Sequence, residues 1–487
     1  MSEHSHTDTQ PEVTETTVAQ QTDSGYARLL YPICLSAVLA GGAYFAWSSK
    51  AVDPVQLFAG ELIFMLAVVP GLIWAKKGGR ELPLFEVLML TTANIYALPL
   101  LNSAATLLAY GPDTIHSAAL AVLLYQIAAI GAYYALRGRP GRSPIYREEV
   151  ISHDINRYIG YGLTLTTIYT YVSTFMPSVL PFELAGTLRA VFGGIGLISV
   201  FVQSRRWGQK TLSPQERSIF VVNVIIQLVI QFSTLFLVGG IALIVLALVG
   251  YVTGGRRLPV FATVSMLFLI ALLHNGKGTM RAKYWDFDGG HRQPALAELP
   301  AFFSEWVQDG LPTGEENAPE DKMTSKLLER TSLIHILCLV VSYTPERQPF
   351  LNGKTYMDIP AQFVPRPFWR EKPVAHISTY TLCIYYGLQS EEETAKTTIG
   401  FGMVPEAYAN FGLFGVGVLG CLFGLLYKKV QTLTATSPLL SYPGLCVIVL
   451  MAWSFQTEYT VSMWLSSMAQ AWVAVTGIPF VIRNFLG

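Results

Sequence analysis

SIFVVNVIIQLVIQFSTLFLVGGIALIVLALVGYVT, residues 218–253, is an apolar run about 54 Å long at the 1.5 Å rise of a helix, too long for one membrane crossing and tight for two. Charge decides the reading. Lys76, Lys77 and Arg80 form one basic group; Arg137, Arg139, Arg142, Arg147 and Arg157 form a second; Arg205, Arg206, Lys210 and Arg217 form a third. Arg256 and Arg257, then Lys428, Lys429 and Arg483, follow later apolar runs. If 218–253 is a hairpin turning at Gly239-Gly240, every one of these falls on the same side of a membrane as Arg28, and the opposite short loops hold only Lys50. By the positive-inside rule that side is the cytoplasm.

Working outward, apolar spans fall near 29–47, 55–75, 84–100, 115–136, 157–176, 182–203, 218–236, 238–253, 258–274, 411–427, 440–457 and 460–482. The expected fold is therefore an all-α polytopic membrane protein of about twelve transmembrane helices, with one long extracytoplasmic segment between helices nine and ten. Residues 1–25, rich in Ser, Thr, Gln and Glu, read as a disordered cytoplasmic tail. Helices one to nine occupy 26–274, the outer segment 275–410, and helices ten to twelve 411–487. No cleavable signal peptide is evident, since the first apolar run, Leu29 to Trp47, is long enough to span.

Composition agrees with this class: 52% of 487 residues are hydrophobic, only 14% are charged, and mean hydropathy is +0.41. Lys plus Arg equals Asp plus Glu at 33 each, which leaves no global basic footprint for nucleic acid. Cys34, Cys338, Cys383, Cys421 and Cys446 contain no C-x-x-C pair, and no metal site or cofactor is expected. A Cys338–Cys383 disulfide is open if the outer segment is extracytoplasmic. P-loop, G-x-S-x-G and H-E-x-x-H patterns are absent.

The outer segment holds 13 basic and 17 acidic residues, so its cations are local clusters on a mildly acidic background. Within it, Ser325 to Val341 has helical periodicity and Asp309 to Asp321 reads as an exposed loop. Where span nine emerges, Lys277 and Arg281 stand at i,i+4 and share one face of any continuing helix, at headgroup depth. They can bind a lipid pyrophosphate or simply snorkel from a helix end. Arg366, Arg370 and Lys372 lie in PRPFWREKP (365–373), whose three prolines forbid regular helix and present the cations from a stiff turn; alternatively Phe368 and Trp369 anchor an interfacial loop. Acid–base candidates are Glu329, His335, Asp358, His376 and Glu406, among which the sequence supplies no ranking. Two charges lie inside spans at matching depth, Glu61 and Arg189; they form a buried pair, or Arg189 faces a cavity and a substrate phosphate. Asn223, Gln227 and Gln231 make a stripe expected to glue helices.

Gly353-x-x-Tyr356, then Pro365-Arg366-x-Phe368-Trp369-x-x-Lys372-Pro373, then Glu406-Ala407-Tyr408-x-Asn410-Phe411-Gly412, late in a twelve-span chain, resemble the Wzy-type oligosaccharide repeat-unit polymerases, the O-antigen polymerase family. The match covers roughly 353–415. The resemblance implies a bacterial inner-membrane glycosyltransferase acting at the outer face on undecaprenyl-pyrophosphate-linked repeat units, with a chain-length regulator as a candidate partner. A hydroxyl of one repeat attacks the anomeric carbon of another, displacing lipid pyrophosphate without metal or nucleotide. Catalytic positions are then expected at Arg366, Arg281, Glu406 and Lys372, and substrate contacts at Lys277, Arg330, Arg189, Tyr356, Arg370 and His335. A glycan ligase shares this chemistry. A transferase using polyprenyl-phosphate sugars would carry acids in the first outer loop, where only Asp53 stands, and a transporter would show two repeated halves.

Overall fold

The computed structural model describes residues 24–49, 51, 53–79, 81–101, 105–143, 148–150, 155–180, 182–286, 290–291, 293–311, 332–364, 368–369, 371–396 and 398–481. Among these the chain is helical apart from a two-residue antiparallel ladder pairing Trp285–Asp286 with Gly290–His291. The long helices are α1 (Ser24–Ser48), α2 (Pro54–Lys76), α3 (Leu84–Leu101), α4 (Pro112–Ala135), α5 (Ile155–Phe175), α6 (Phe182–Gly208), α7 (Pro214–Ser233), α8 (Leu237–Thr253) and α9 (Val260–Tyr284). Five shorter helices follow among the described residues: α10 (Leu299–Gly310), α11 (Leu333–Tyr343), a single turn at Ile359–Phe363, α12 (Ile377–Tyr385) and α13 (Glu391–Lys396). The chain then runs through α14 (Met403–Thr434), α15 (Tyr442–Trp453) and α16 (Val461–Val481). A helix lies in each of the twelve apolar stretches. By length and composition six stretches among the described residues can cross a membrane: Leu29–Trp47, Pro54–Lys76, Leu84–Leu101, Pro112–Ala135, Pro214–Ser233 and Met403–Thr434; α9, if its two bent legs form one span, makes seven.

Local chemistry sets the helix starts. Asp53 accepts the N–H groups of Val55 and Gln56 ahead of Pro54, and Ser213 with Glu216 forms a capping box ahead of Pro214. The turn predicted at Gly239-Gly240 lies five residues earlier, at Thr234 and Leu235, where Leu235 adopts φ 58°. The glycines serve close packing inside the hairpin: a Cβ on Gly239 would lie 2.1 Å from Gln231 Oε1, and one on Gly240 2.2 Å from the Phe232 ring.

The core joins α2, α3, α4, α11, α14 and α15 in one apolar cluster. Gly420 and Gly424, four apart on α14, lie against the backbone of α4, where added Cβ atoms would meet the Tyr125 and Ala129 carbonyls at 2.5 and 2.2 Å; this is the small-residue contact that lets membrane helices approach closely. Polar glue crosses the bundle as expected. Asn223 and Gln227 donate to Thr164 and Thr167 on α5 (3.4 and 2.8 Å), and buried Gln126 ties α4 to Thr92 and to the Ile63 carbonyl.

Two helices depart from the expected spans. α9 runs on past His274, bending by 49° before Gly276, so Lys277 and Arg281 sit one turn apart on its second leg. α14 begins at Met403 instead of Phe411, with a break at Phe411 and Gly412 (φ 62°, ψ −149°), a conformation that glycine alone adopts readily. The helix predicted over 325–341 is observed as α11; residues 312–331 lie outside the described residues. Cys338 and Cys383 are both buried and both free.

Candidate functional site

The break in α14 explains why two of the matched motifs occur together. Asn410 accepts the Gly353 N–H (2.9 Å) and donates to the Thr355 hydroxyl (2.9 Å) and to the Glu406 carbonyl (2.8 Å). The Leu351 and Asn352 N–H groups donate to the Ala409 and Asn410 carbonyls (3.0 and 3.2 Å), and Tyr356 stacks on Phe411 with ring centres 6.3 Å apart. The segment carrying Gly353 to Tyr356 is thus bolted onto the first leg of α14.

That leg holds a second element in place. Glu406 is fully buried, and its Oε2 accepts the Val461 N–H (2.6 Å) at the start of α16, with the Thr355 hydroxyl also within hydrogen-bonding reach of the carboxylate. The Gly402 N–H donates to the Glu458 carbonyl (3.0 Å), and the Thr379 and Thr460 hydroxyls bond at 3.3 Å. Together these staple the loop of residues 454–460, between α15 and α16, to α14 and α12. With no exposed surface, Glu406 anchors this loop.

The stapled loop presents Glu458 and Tyr459 to three cations. Arg189, exposed on α6, is within hydrogen-bonding reach of Tyr169 on α5 and exerts its charge on Tyr459 and His376. From the other side, Lys277 and Arg281 lie within the field of Glu458. Arg281 also donates to the Leu235 carbonyl (2.9 Å) and its guanidinium lies 5.1 Å from the Phe236 ring centre, which fixes its direction. Burial and Glu458 push the Tyr459 phenol up to about 12, with Arg189 pulling the other way, so it is a neutral donor at pH 7. Burial, then the Arg189 cation, lowers the His376 imidazole below its ordinary value. His376 lies alongside Tyr380, and its buried Nδ1 has no hydrogen-bond partner among the described residues. A neutral imidazole with an unengaged nitrogen beside a cationic corner is equipped to take a proton near an anion.

The sequence-derived residues divide accordingly. Arg189, Lys277 and Arg281 belong to this corner. Tyr356 and Glu406 lie in the scaffold beneath it. Lys372 is buried and donates to the Gln362 and Val364 carbonyls (3.0 and 2.8 Å), closing its own proline-rich loop. His335 lies on α11 edge-on to Tyr110, with ring centres 5.5 Å apart. Arg366, Arg370 and Arg330 lie outside the described residues. Glu61 packs against Gly42 of α1, and among the described residues no ion pair joins it to Arg189. Asp53 is bound to His116 and to the first N–H groups of α2. Sequence reading missed Glu458 and Tyr459. A signal existed, because Glu458 is the only Asp, Glu, Lys or Arg between Lys429 and Arg483.

No curated protein and no solved structure matches this chain. Residues 148–459, more than half of the chain, match a family described as "Domain of unknown function (DUF8712)", and the protein belongs to that family.

Proposed function

We propose that the protein is a glycosyltransferase that polymerises lipid-pyrophosphate-linked oligosaccharide repeat units at the outer face of a bacterial cytoplasmic membrane. The observation that carries this reading is that the loop of residues 454–460 brings Tyr459 within the field of Arg189 and Glu458 within the fields of Lys277 and Arg281, with His376 also within the field of Arg189. In the reaction, a hydroxyl of the incoming repeat forms a bond to the anomeric carbon of the growing chain. The bond from that carbon to the pyrophosphate oxygen breaks, and the electron pair leaves with the lipid pyrophosphate. The hydroxyl proton passes to His376, and the three cations hold the leaving charge. Preorganised cations suit this step because pyrophosphate gains negative charge only as the bond breaks.

The same reading assigns twelve crossings with both termini cytoplasmic. It is supported by the one-sided distribution of Lys and Arg and by the pairing of loops at each end of the bundle. Gly141 and Val150 donate to the Leu433 and Leu440 carbonyls at the basic end, whereas Arg281 and Leu235, and Gly402 and Glu458, meet at the other.

The test is the size distribution of surface glycan and lipid-linked intermediates in cells lacking the chain, complemented with wild type or with Arg189→Ala. Single repeat units replacing a polymer ladder, with wild type alone restoring the ladder, support polymerisation. Long polymer stranded on its lipid carrier would assign a ligase instead. Units trapped on the cytoplasmic face would assign a transporter.

A further inference from the structure

α9 bends by 49° between His274 and Gly276 although it contains no proline. A helix bends this sharply where glycine loosens it or where a side chain enters its ladder of carbonyls, and both conditions meet here. The fully buried Trp306 of α10 donates its indole N–H to the Leu273 carbonyl (2.8 Å), directly before the bend. Backbone meets backbone at the same place. A Cβ on Gly276 would lie 2.8 Å from the Trp306 carbonyl oxygen and from the Gly310 nitrogen, and one on Gly310 would lie 2.3 Å from the Leu272 carbonyl oxygen. Around this crossing, Phe302 and Trp306 of α10 pack with Leu273 and Met280, one from each leg of α9, and with Phe232 and Leu235 at the α7–α8 turn, in a second apolar cluster beside the main core. Further along, Lys283 pairs with Glu305 and Asp309 (2.7 and 2.9 Å), but exposed pairs of this kind contribute little, so the buried crossing sets the angle. Arg281 stands about 9 Å beyond the bend along the second leg, and 49° therefore displaces it by about 7 Å from the path of a straight helix, more than a hydrogen bond spans.

We propose that Trp306 is a positioning residue: its bond to the Leu273 carbonyl sets the angle of the second leg of α9 and so aims Lys277 and Arg281 toward the loop that carries Glu458. The bond from Arg281 to the Leu235 carbonyl (2.9 Å) and the one from Gln293 to the Ser233 hydroxyl (2.8 Å) then tie the aimed leg and the chain that follows it to the α7–α8 turn. That these cations receive a pyrophosphate rests on the glycosyltransferase reading. That Trp306 aims them does not.

The experiment uses the full chain in phospholipid nanodiscs, in a background with the five native cysteines replaced. Pulsed electron paramagnetic resonance measures distances from a nitroxide at Ala282→Cys, on the second leg, to one at Glu391→Cys and, in a separate sample, to one at Met357→Cys; both reference positions are exposed, and a swing tangential to one is seen from the other. Trp306→Phe keeps most of the ring and removes the N–H. Gly310→Ala disturbs the same crossing by a second route, since its methyl must push the helices apart, and Phe302→Leu is the packing control within the same cluster. The expected result is that at least one distance distribution shifts by several ångströms or broadens in Trp306→Phe and in Gly310→Ala and keeps its wild-type form in Phe302→Leu. Titration with inorganic pyrophosphate should show a Kd raised about 3–10-fold in the first two variants, the loss of one hydrogen bond's worth of alignment. Wild-type distributions in both Trp306→Phe and Gly310→Ala would overturn the proposal, and an equal shift in Phe302→Leu would overturn it in favour of general packing. Distances that move as expected while wild type itself fails to bind pyrophosphate would uphold the role of Trp306 and count against the glycosyltransferase reading alone.

Discussion

Arg189 and His376 are a pair whose properties depend on each other. The Arg189 cation is one of the two causes that lower the His376 imidazole, so removing it should raise that value toward the ordinary 6.5 of histidine. An NMR titration of His376 in Arg189→Gln against wild type checks this, and an unchanged or lower midpoint would contradict the arrangement. The linkage has a definite sign. A folded-state value below the unfolded one contributes stability that is complete above the unfolded value and is lost as pH falls through the lowered one. For catalysis, Arg189→Ala or Lys277→Ala should each lower polymer formation by two orders of magnitude or more, about 3 kcal/mol of transition-state stabilisation, with the protein still inserted. Polymer ladders from membranes of matched protein content read the result. The cations of this corner were visible in the sequence because charge is rare at membrane depth. His376 stood unranked among five acid–base candidates because burial and the nearness of a residue on α6 are tertiary facts. Glu458 and Tyr459 escaped attention for the same reason, since the cations they face lie far back in the chain.

At the scale of elements, α14 carries the most information. Its break rests on Gly412 at φ 62°, with Phe350 3.2 Å from where a Cβ would stand. Gly412→Ala should therefore cost about 1–3 kcal/mol through backbone strain, with the Phe350 contact adding to it. Thermal unfolding in detergent measures the loss, and a neutral result would mean that α14 straightens without penalty. Asn410→Leu should be at least as harmful, because it removes the partners of the Gly353 N–H and the Thr355 hydroxyl, each a loss of about 1–3 kcal/mol when left unsatisfied in a buried site. Hydropathy located α14's apolar leg but placed its start at Phe411, since Met403 to Asn410 carry polar groups whose bonds lie across the chain. The turn of the α7–α8 hairpin was misplaced for a related reason: adjacent glycines serve turns and close helix contacts equally well, and only packing separates the two.

For the whole molecule, the decisive quantity is which end of the bundle faces outward. In a cysteine-replaced background, an impermeant thiol reagent applied to intact cells should label Gly314→Cys and leave Gly141→Cys untouched until the membrane is opened. The reverse pattern would invert the orientation and place the Arg189 corner in the cytoplasm. Periodicity and charge were enough to anticipate a helical, multi-span chain, because every crossing must satisfy its own backbone and leave its cations behind. They were not enough to anticipate which loops meet, since that depends on contacts such as the Val461 N–H on Glu406.

That last contact bears on how an anion would be recognised here. The first turn of a helix offers unpaired N–H groups and a positive dipole end, and α16 begins beside the cations of the corner. Glu406 already occupies that receptor with the protein's own carboxylate. A phosphate arriving at this end finds the Val461 N–H and the nearby dipole already answered by a carboxylate, so its selectivity rests chiefly on the reach and bidentate geometry of the side-chain cations.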